Sequence, residues 1–165
     1  MGGAVSSFLF RKEKDMGKKI MVQSVKLVKE SNRIYDIEKK KITGPEDAVR
    51  FAQIIFDIES RPNEIFGVFN LNTKNEIIGC SIVFEGTVDS SLVHPRETFR
   101  TAILNNASSI ICFHNHPSGH SMESHEDVEV TKRLKECGNI IGIPLLDHVI
   151  IGDNNYVSLM KKGII

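Results

Sequence analysis

The residues best able to do chemistry lie in one short stretch. Phe113-His114-Asn115-His116-Pro117-Ser118-Gly119 is followed by Ser124 and then Asp127. The apolar run before it, Ile110-Ile111-Cys112-Phe113, reads as a buried strand. Residues two apart on a strand share a face, so His114 and His116 present their imidazoles together. Pro117 removes a ladder donor and Gly119 permits a sharp turn, so the pair stands where the strand ends. The segment from Ser124 to Cys137 reads as a helix, which puts Asp127 in its first turn. Two imidazoles on a rigid strand end and a carboxylate on a facing helix make a ligand set for one zinc ion. A further position stays open for water, the pattern of a catalytic rather than a structural site.

Each of these residues also has a plainer reading. Ser124-x-x-Asp127 has the spacing of a helix capping box. A single histidine at a strand end is usually a hydrogen-bonded structural residue. The combination of His-x-His, a Pro-Ser-Gly turn, and Ser and Asp at fixed offsets favours the metal. The two readings of the box are compatible, because a helix N-terminus can hold a serine whose hydroxyl faces a site.

His114-x-His116, seven residues, Ser124, two residues, Asp127 resembles the JAMM motif of JAB/MPN-type zinc proteins. The surroundings are similar to the RadC branch of that family. Ser90-Ser91-Leu92-Val93-His94-Pro95-Arg96-Glu97 precedes the histidines, and Leu145-Leu146-Asp147-His148-Val149-Ile150-Ile151-Gly152-Asp153 follows them. The resemblance runs from about Lys19 to the C-terminus. It departs at His120, where an acidic or amide residue is expected, and at Met122-Glu123, which replaces a proline-containing pair.

The resemblance implies an α/β domain with a cytidine-deaminase-like mixed sheet flanked by helices. It implies one zinc ion per chain, held by His114, His116 and Asp127. It also selects Glu64, just before a hydrophobic strand, as the catalytic general base; spacing alone would not prefer Glu64 to Glu59 or Glu76. A carboxylate there takes a proton from water and returns it to the leaving amine. Ser124 would hydrogen-bond the developing oxyanion. The implied reaction is amide-bond hydrolysis in a peptide or protein, by a metallopeptidase or isopeptidase. The alternative is a non-catalytic accessory or DNA-repair-associated binding module that keeps the metal site. A zinc nucleoside deaminase is a third option, but its H-x-E and P-C-x-x-C elements are absent.

The elements that must position these residues follow from hydrophobic pattern. Residues 1–18 read as a flexible tail ahead of a single domain over 19–165. Met1-Gly2-Gly3-Ala4-Val5-Ser6 matches the bare N-myristoylation pattern, which is read as coincidence. From Ile20 to Ile37 a period-two pattern around Ser31-Asn32 predicts a hairpin or edge strands. Lys39-Lys40-Lys41 reads as a solvated strand end. Thr43-Gly44-Pro45-Glu46 has capping-box spacing and opens a helix carrying Ala48, Phe51, Ala52, Ile55 and Phe56. Ile65–Phe69 and Ile77–Phe84 form a hairpin through Asn72–Asn75, both apolar enough for the centre of a covered sheet. Pro95 suits the first turn of a second helix, whose apolar side includes Phe99, Ala102 and Ile103. His94 reads as a cap, a neighbour of the metal ligands or a substrate contact; Arg96 reads as an ion-pair partner.

Gly138 is the expected end of the third helix. Leu145 to Ile151 reads as a strand and Tyr156 to Met160 as a closing strand. Asp147 and His148, a polar pair in an apolar strand, need partners. Support of a metal ligand and a plain structural hydrogen bond are both open for them. His120 and His125 are expected to be exposed beside the site.

Composition narrows the classes. The chain has 165 residues, 41% of them hydrophobic, as expected for one globular domain. Lys plus Arg and Asp plus Glu are 21 each, so no basic field draws it to nucleic acid. The three cysteines, Cys80, Cys112 and Cys137, show no CxxC spacing and read as reduced core residues. No membrane span or signal-peptide pattern is present, so the expected location is the cytoplasm. Oligomeric state is not legible.

Overall fold

The computed structural model describes residues 24, 26–28, 40–86 and 93–165. The expected tail and the Ser90-Ser91-Leu92 stretch fall outside the described residues. So does the expected hairpin between Ile20 and Ile37, apart from residues 24 and 26–28, which adopt no regular structure. Lys41 makes an isolated antiparallel bridge to Glu76.

The described chain runs α1 (Pro45–Phe56), a 3₁₀ turn (Ile58–Ser60), β1 (Glu64–Leu71), β2 (Ile77–Gly86), α2 (Pro95–Leu104), β3 (Ser109–Asn115), α3 (His125–Ile141), β4 (Leu145–Ile151) and β5 (Tyr156–Ser158). The strands form one sheet in the order β2-β1-β3-β4-β5. β1 is antiparallel to both β2 and β3, β3 and β4 are parallel, and β5 returns antiparallel to β4. This is the expected α/β architecture, a mixed sheet flanked by helices.

The helices divide between the two faces. On one, Ala48, Phe51, Ala52 and Phe56 of α1 pack on Phe69, Ile111, Phe113, Val149 and Ile151. Phe113 stacks on Phe69 and Phe56, with ring centroids 4.6 and 5.4 Å away. On the other, Phe99 and Ala102 of α2 and Val130 and Leu134 of α3 pack on Phe66, Val68, Ile110 and Cys112. Each fully buried phenylalanine contributes roughly 1.5–3 kcal/mol, so both layers are held by apolar burial.

Several expectations are corrected. β2 is an edge strand of the described sheet and is only partly buried, whereas β1 is buried throughout. Its apolar sequence therefore does not mark a central position. α1 begins at Pro45 as expected, but Glu46 does not close the cap. Instead Asp47 Oδ2 accepts from the Thr43 N–H at 2.8 Å and the Thr43 hydroxyl at 2.6 Å. Ile103 is exposed rather than packed.

α3 runs through Gly138 to Ile141 and is capped by Gly142 in the left-handed region, φ 81°. Gly138 has a different reason to be glycine. A Cβ there would stand 2.6 Å from the Ile143 carbonyl and 3.2 Å from Phe99, so its absence lets the helix close on the chain that follows. The closing strand is short, Tyr156–Ser158, and continues as turns. Cys112 is buried, Cys80 and Cys137 are partly buried, and all three are free thiols. Among the described residues no helix is long and apolar enough to cross a membrane.

Candidate metal centre

The site is assembled from the ends of three elements. His114 is the penultimate residue of β3 and is buried; His116 lies just past the strand end. The loop after it is anchored to the β4–β5 turn. The His116 N–H donates to the Ile151 carbonyl at 2.9 Å, and the Gly119 carbonyl accepts from the Asp153 N–H at 2.9 Å and Asn155 Nδ2 at 3.2 Å. A Cβ on Gly152 would lie 2.3 Å from the Gly119 oxygen, so only glycine permits this approach. The loop is thus pinned by backbone bonds despite its departure at His120.

Asp127 occupies the first turn of α3 behind a complete capping box. Ser124 Oγ accepts from the Asp127 N–H at 3.1 Å, and Asp127 Oδ2 accepts from the Ser124 N–H at 2.7 Å. The Ser124 hydroxyl also donates to Asp127 Oδ2, at 2.7 Å. The capping reading of this pair and its place at the site therefore hold together.

Glu64 opens β1, and here a residue missed in the sequence does the positioning. Asn115, between the two histidines, turns its side chain toward the chain around Glu64. Its Oδ1 accepts from the Ile65 N–H at 2.8 Å and its Nδ2 donates to the Asn63 carbonyl at 3.2 Å. The residues on either side of Glu64 are thus clamped by one buried amide.

These elements bring Glu64, His114, His116 and Asp127 together. One ligand atom from each lies within 4.8 Å of the others. The Nε2 atoms of His114 and His116 are 3.0 Å apart, and Asp127 Oδ1 and Oδ2 lie 3.2 and 3.5 Å from them respectively. The donor chemistry fits a cation, because two imidazole nitrogens and two carboxylate oxygens converge. This cluster could hold a metal ion of the kind a JAMM-type site takes.

On their outer sides the rings are held differently. His116 Nδ1 donates to the His120 carbonyl at 2.7 Å, so the backbone of His120 serves the site while its side chain is exposed. His114 Nδ1 meets His148 Nε2 at 2.8 Å. Phe66 flanks both rings, its centroid 6.1 Å from that of His114 and 5.2 Å from that of His148.

The electrostatics follow the geometry. Burial pushes the Asp127 carboxyl up, but the His114 and His116 imidazoles against its oxygens outweigh it and hold the group well below the usual carboxylate range. The Asp127 hydrogen bond raises His116, against desolvation. Burial raises Glu64, with His114 and His116 pulling the other way. His148 is fully enclosed, and burial drives it well below the usual imidazole range. An open cleft of about 280 Å³ adjoins His116, lined in part by Glu59, Ser118 and Asp153.

Two candidates do not join the cluster. His94 is exposed and caps α2, its Nδ1 accepting from the Arg96 N–H at 3.1 Å. Arg96 pairs with the adjacent Glu97. Asp147 is separated from its neighbour His148. Its Oδ1 accepts from the His148 and Met160 N–H groups at 2.8 and 3.1 Å, and its Oδ2 accepts from the Ser158 hydroxyl at 2.7 Å.

The model of the RadC-like JAB domain matches residues 42–164, which include every strand and helix described above. The chain belongs to the RadC-like JAB domain family. Bacterial relatives agree. A UPF0758 protein of Geobacillus sp. (strain WCH70) is 52% identical over 122 residues, 74% of this chain and 53% of the relative. One from Clostridium beijerinckii is 49% identical over 125 residues, 76% of this chain and 54% of the relative. One from Bacillus cereus (strain Q1) is 52% identical over 122 residues, again 74% and 53%. The chain thus spans about half the length of the curated relatives it matches. The RadC-like JAB match covers every member of this candidate cluster, from Glu64 to Asp127.

Proposed function

We propose that this RadC-like JAB domain hydrolyses amide bonds of a peptide or protein, with one zinc ion as cofactor. The observation that carries the reading is the convergence of Glu64, His114, His116 and Asp127 within 4.8 Å. His114, His116 and Asp127 would hold the ion. Two imidazoles with a carboxylate suit zinc better than magnesium or calcium, which prefer oxygen alone. When bound, zinc supplies Lewis-acid charge that acidifies water and polarises a carbonyl.

The chain's own residues do the rest. Glu64, raised by burial toward the basicity a general base needs, takes a proton from the attacking water. The same carboxyl then delivers that proton to the departing nitrogen. Ser124 donates to the oxyanion once its hydroxyl turns away from Asp127 Oδ2, where it now points. A substrate would approach by the open cleft of about 280 Å³ beside His116. Duplex DNA is not the proposed partner, since equal acidic and basic counts leave little phosphate neutralisation to drive it.

The test is metal analysis of protein purified without chelator, paired with a peptide-library cleavage screen. Near-stoichiometric zinc is expected, lost in His114→Ala, His116→Ala and Asp127→Ala. Equal zinc in the wild type and all three variants would remove the site. Full zinc with no cleavage of any peptide would leave a metal-bearing binding module in place of a hydrolase.

A further inference from the structure

The two imidazoles of the cluster have unequal support. His116 Nδ1 faces a carbonyl, which can only accept, so Nδ1 must carry a proton and Nε2 faces the cluster. His114 Nδ1 faces another imidazole, His148 Nε2, and that contact permits either direction. If His148 Nε2 were the donor, neutral His114 would carry its proton on Nε2, where a ligand needs a lone pair.

The direction is settled one residue further on. Thr131 Oγ1 lies 2.5 Å from the Asp127 backbone carbonyl, one helical turn earlier, and 2.5 Å from His148 Nδ1. The carbonyl cannot donate, so the hydroxyl proton goes to it. The oxygen of Thr131 is then left as an acceptor, and His148 Nδ1 must supply the proton between them. In a neutral ring a proton on Nδ1 leaves Nε2 bare, so His148 Nε2 accepts from His114 Nδ1–H. His114 Nε2 keeps its lone pair toward the cluster. Thr131 and His148 are both fully buried, so no water stands ready to replace either partner.

We propose that Thr131 is a positioning residue that, through His148, fixes His114 in the tautomer able to bind a metal. It touches neither metal nor substrate. The relay also ties the ring to the backbone of Asp127, so ligands from β3 and α3 are coupled through hydrogen bonds as well as through the ion they would share. The inference rests on the metal-site reading above, but its first test needs no metal.

That test is NMR of isotope-labelled histidine side chains in the metal-free full chain, at mildly alkaline pH so that tautomers rather than cations are read. His114 and His148 should both carry their proton on Nδ1. Finding His114 protonated on Nε2 in the wild type would overturn the proposal. Thr131→Val keeps the shape and removes the hydroxyl, so the relay should reverse and move the His114 proton to Nε2. Zinc affinity, titrated against a colorimetric chelator, should then fall about 10–100-fold, the usual cost of losing a group that orients a ligand. Thr131→Ser, which restores the hydroxyl, should recover both the tautomer and the affinity. Unchanged tautomers and affinity in Thr131→Val would refute the relay. If Thr131→Val does not fold, the wild-type tautomers together with recovery or loss in Thr131→Ser decide the matter. A wild type that binds no zinc but shows both Nδ1 tautomers would sink the proposed function and leave the relay standing.

Discussion

Asp127 and Asp147 are both buried carboxylates beside the same strand pair, yet the chain treats them in opposite ways. Asp147 receives two backbone N–H groups and one hydroxyl, all neutral donors fixed by β4, β5 and the turn after β5. Burial raises its carboxyl, and those bonds offset only part of the rise. Asp127 receives its cap from Ser124 but turns both oxygens toward imidazoles, and its carboxyl is driven down. One carboxylate closes a seam, and the other belongs to a group of side chains that could hold a metal ion. Burial alone therefore does not mark a site; the kind of partner does.

The largest break in this contrast should come at Glu64, the other carboxylate of the open cluster. Glu64→Gln keeps size and hydrogen bonding but cannot accept a proton. Loss of a general base costs on the order of 10²–10⁴ in rate. Here the same group also serves the leaving nitrogen, so the upper end is expected, with zinc content unchanged. Hydrolysis of a peptide the wild type cleaves, with metal measured on the same samples, decides it. Unaltered turnover would take Glu64 out of the mechanism, and zinc lost with activity would make it a ligand.

The same chemical change applied to the two aspartates should then have opposite outcomes. Asn at 127 can still accept from Ser124, so Asp127→Asn should keep the helix cap and the melting temperature but lose zinc. Asn at 147 can still accept two backbone N–H groups, and its amide can face the Ser158 oxygen. Asp147→Asn should therefore keep zinc and lose about 1 kcal/mol of stability. Asp147→Ala, which strands those donors, should cost about 3 kcal/mol, since each orphaned group costs ~1–3 kcal/mol. Thermal melts and elemental analysis on the same preparations test all three. Zinc lost from Asp147→Asn would place that residue in the site after all.

A smaller effect is expected at Asn115. Asn115→Asp keeps the acceptor for the Ile65 N–H but sets an oxygen against the Asn63 carbonyl. Glu64 should shift slightly while the ligands stay, lowering kcat roughly 10-fold, since small misplacements of reacting groups are costly. KM and zinc content should stay near wild type. A proportionate loss of zinc would make Asn115 a support for the histidines instead.

The sequence made the cluster legible because its parts are close in the chain and obey simple periods. His-x-His follows from strand alternation, and Ser124 with Asp127 follows from helix-start spacing. Glu64 came only from resemblance, because a carboxylate at a strand end has no local signature. The separation of Asp147 from His148 follows from alternation, but their partners come from β3, α3, β5 and the turn after it, and a register shift lies between Ile110 and Ile111. Such shifts leave no mark in hydrophobic pattern. Thr131 was missed although it lies one helical turn from Asp127, which puts both on one face. Gly138 misled because a glycine that admits close packing looks the same in sequence as one that ends a helix. β2 misled because edge and centre differ in what covers the strand, not in its own residues.

A third carboxylate separates partnership from burial, and it should give the smallest effect. Glu46, exposed on α1, accepts from Tyr156 Oη at 2.6 Å and Lys161 Nζ at 2.8 Å, joining the helix to the end of the chain. Lys161 first, then Tyr156, lower its carboxyl from 4.5 to about 2. The folded value lies below the unfolded one, so the bond stabilises at pH above about 4.5 and is lost as pH falls toward 2. Because the group is fully solvated, screening removes most of the apparent gain. Wild type and Glu46→Gln should therefore differ slightly in melting temperature at neutral pH, less in high salt, and not at all near pH 2. Zinc content should be identical at neutral pH. A gap that persisted in acid would mean that the link acts through packing of Tyr156 and not through charge. A gap as large as that of Asp147→Ala would mean that partnership stabilises a carboxylate as well in water as in the core.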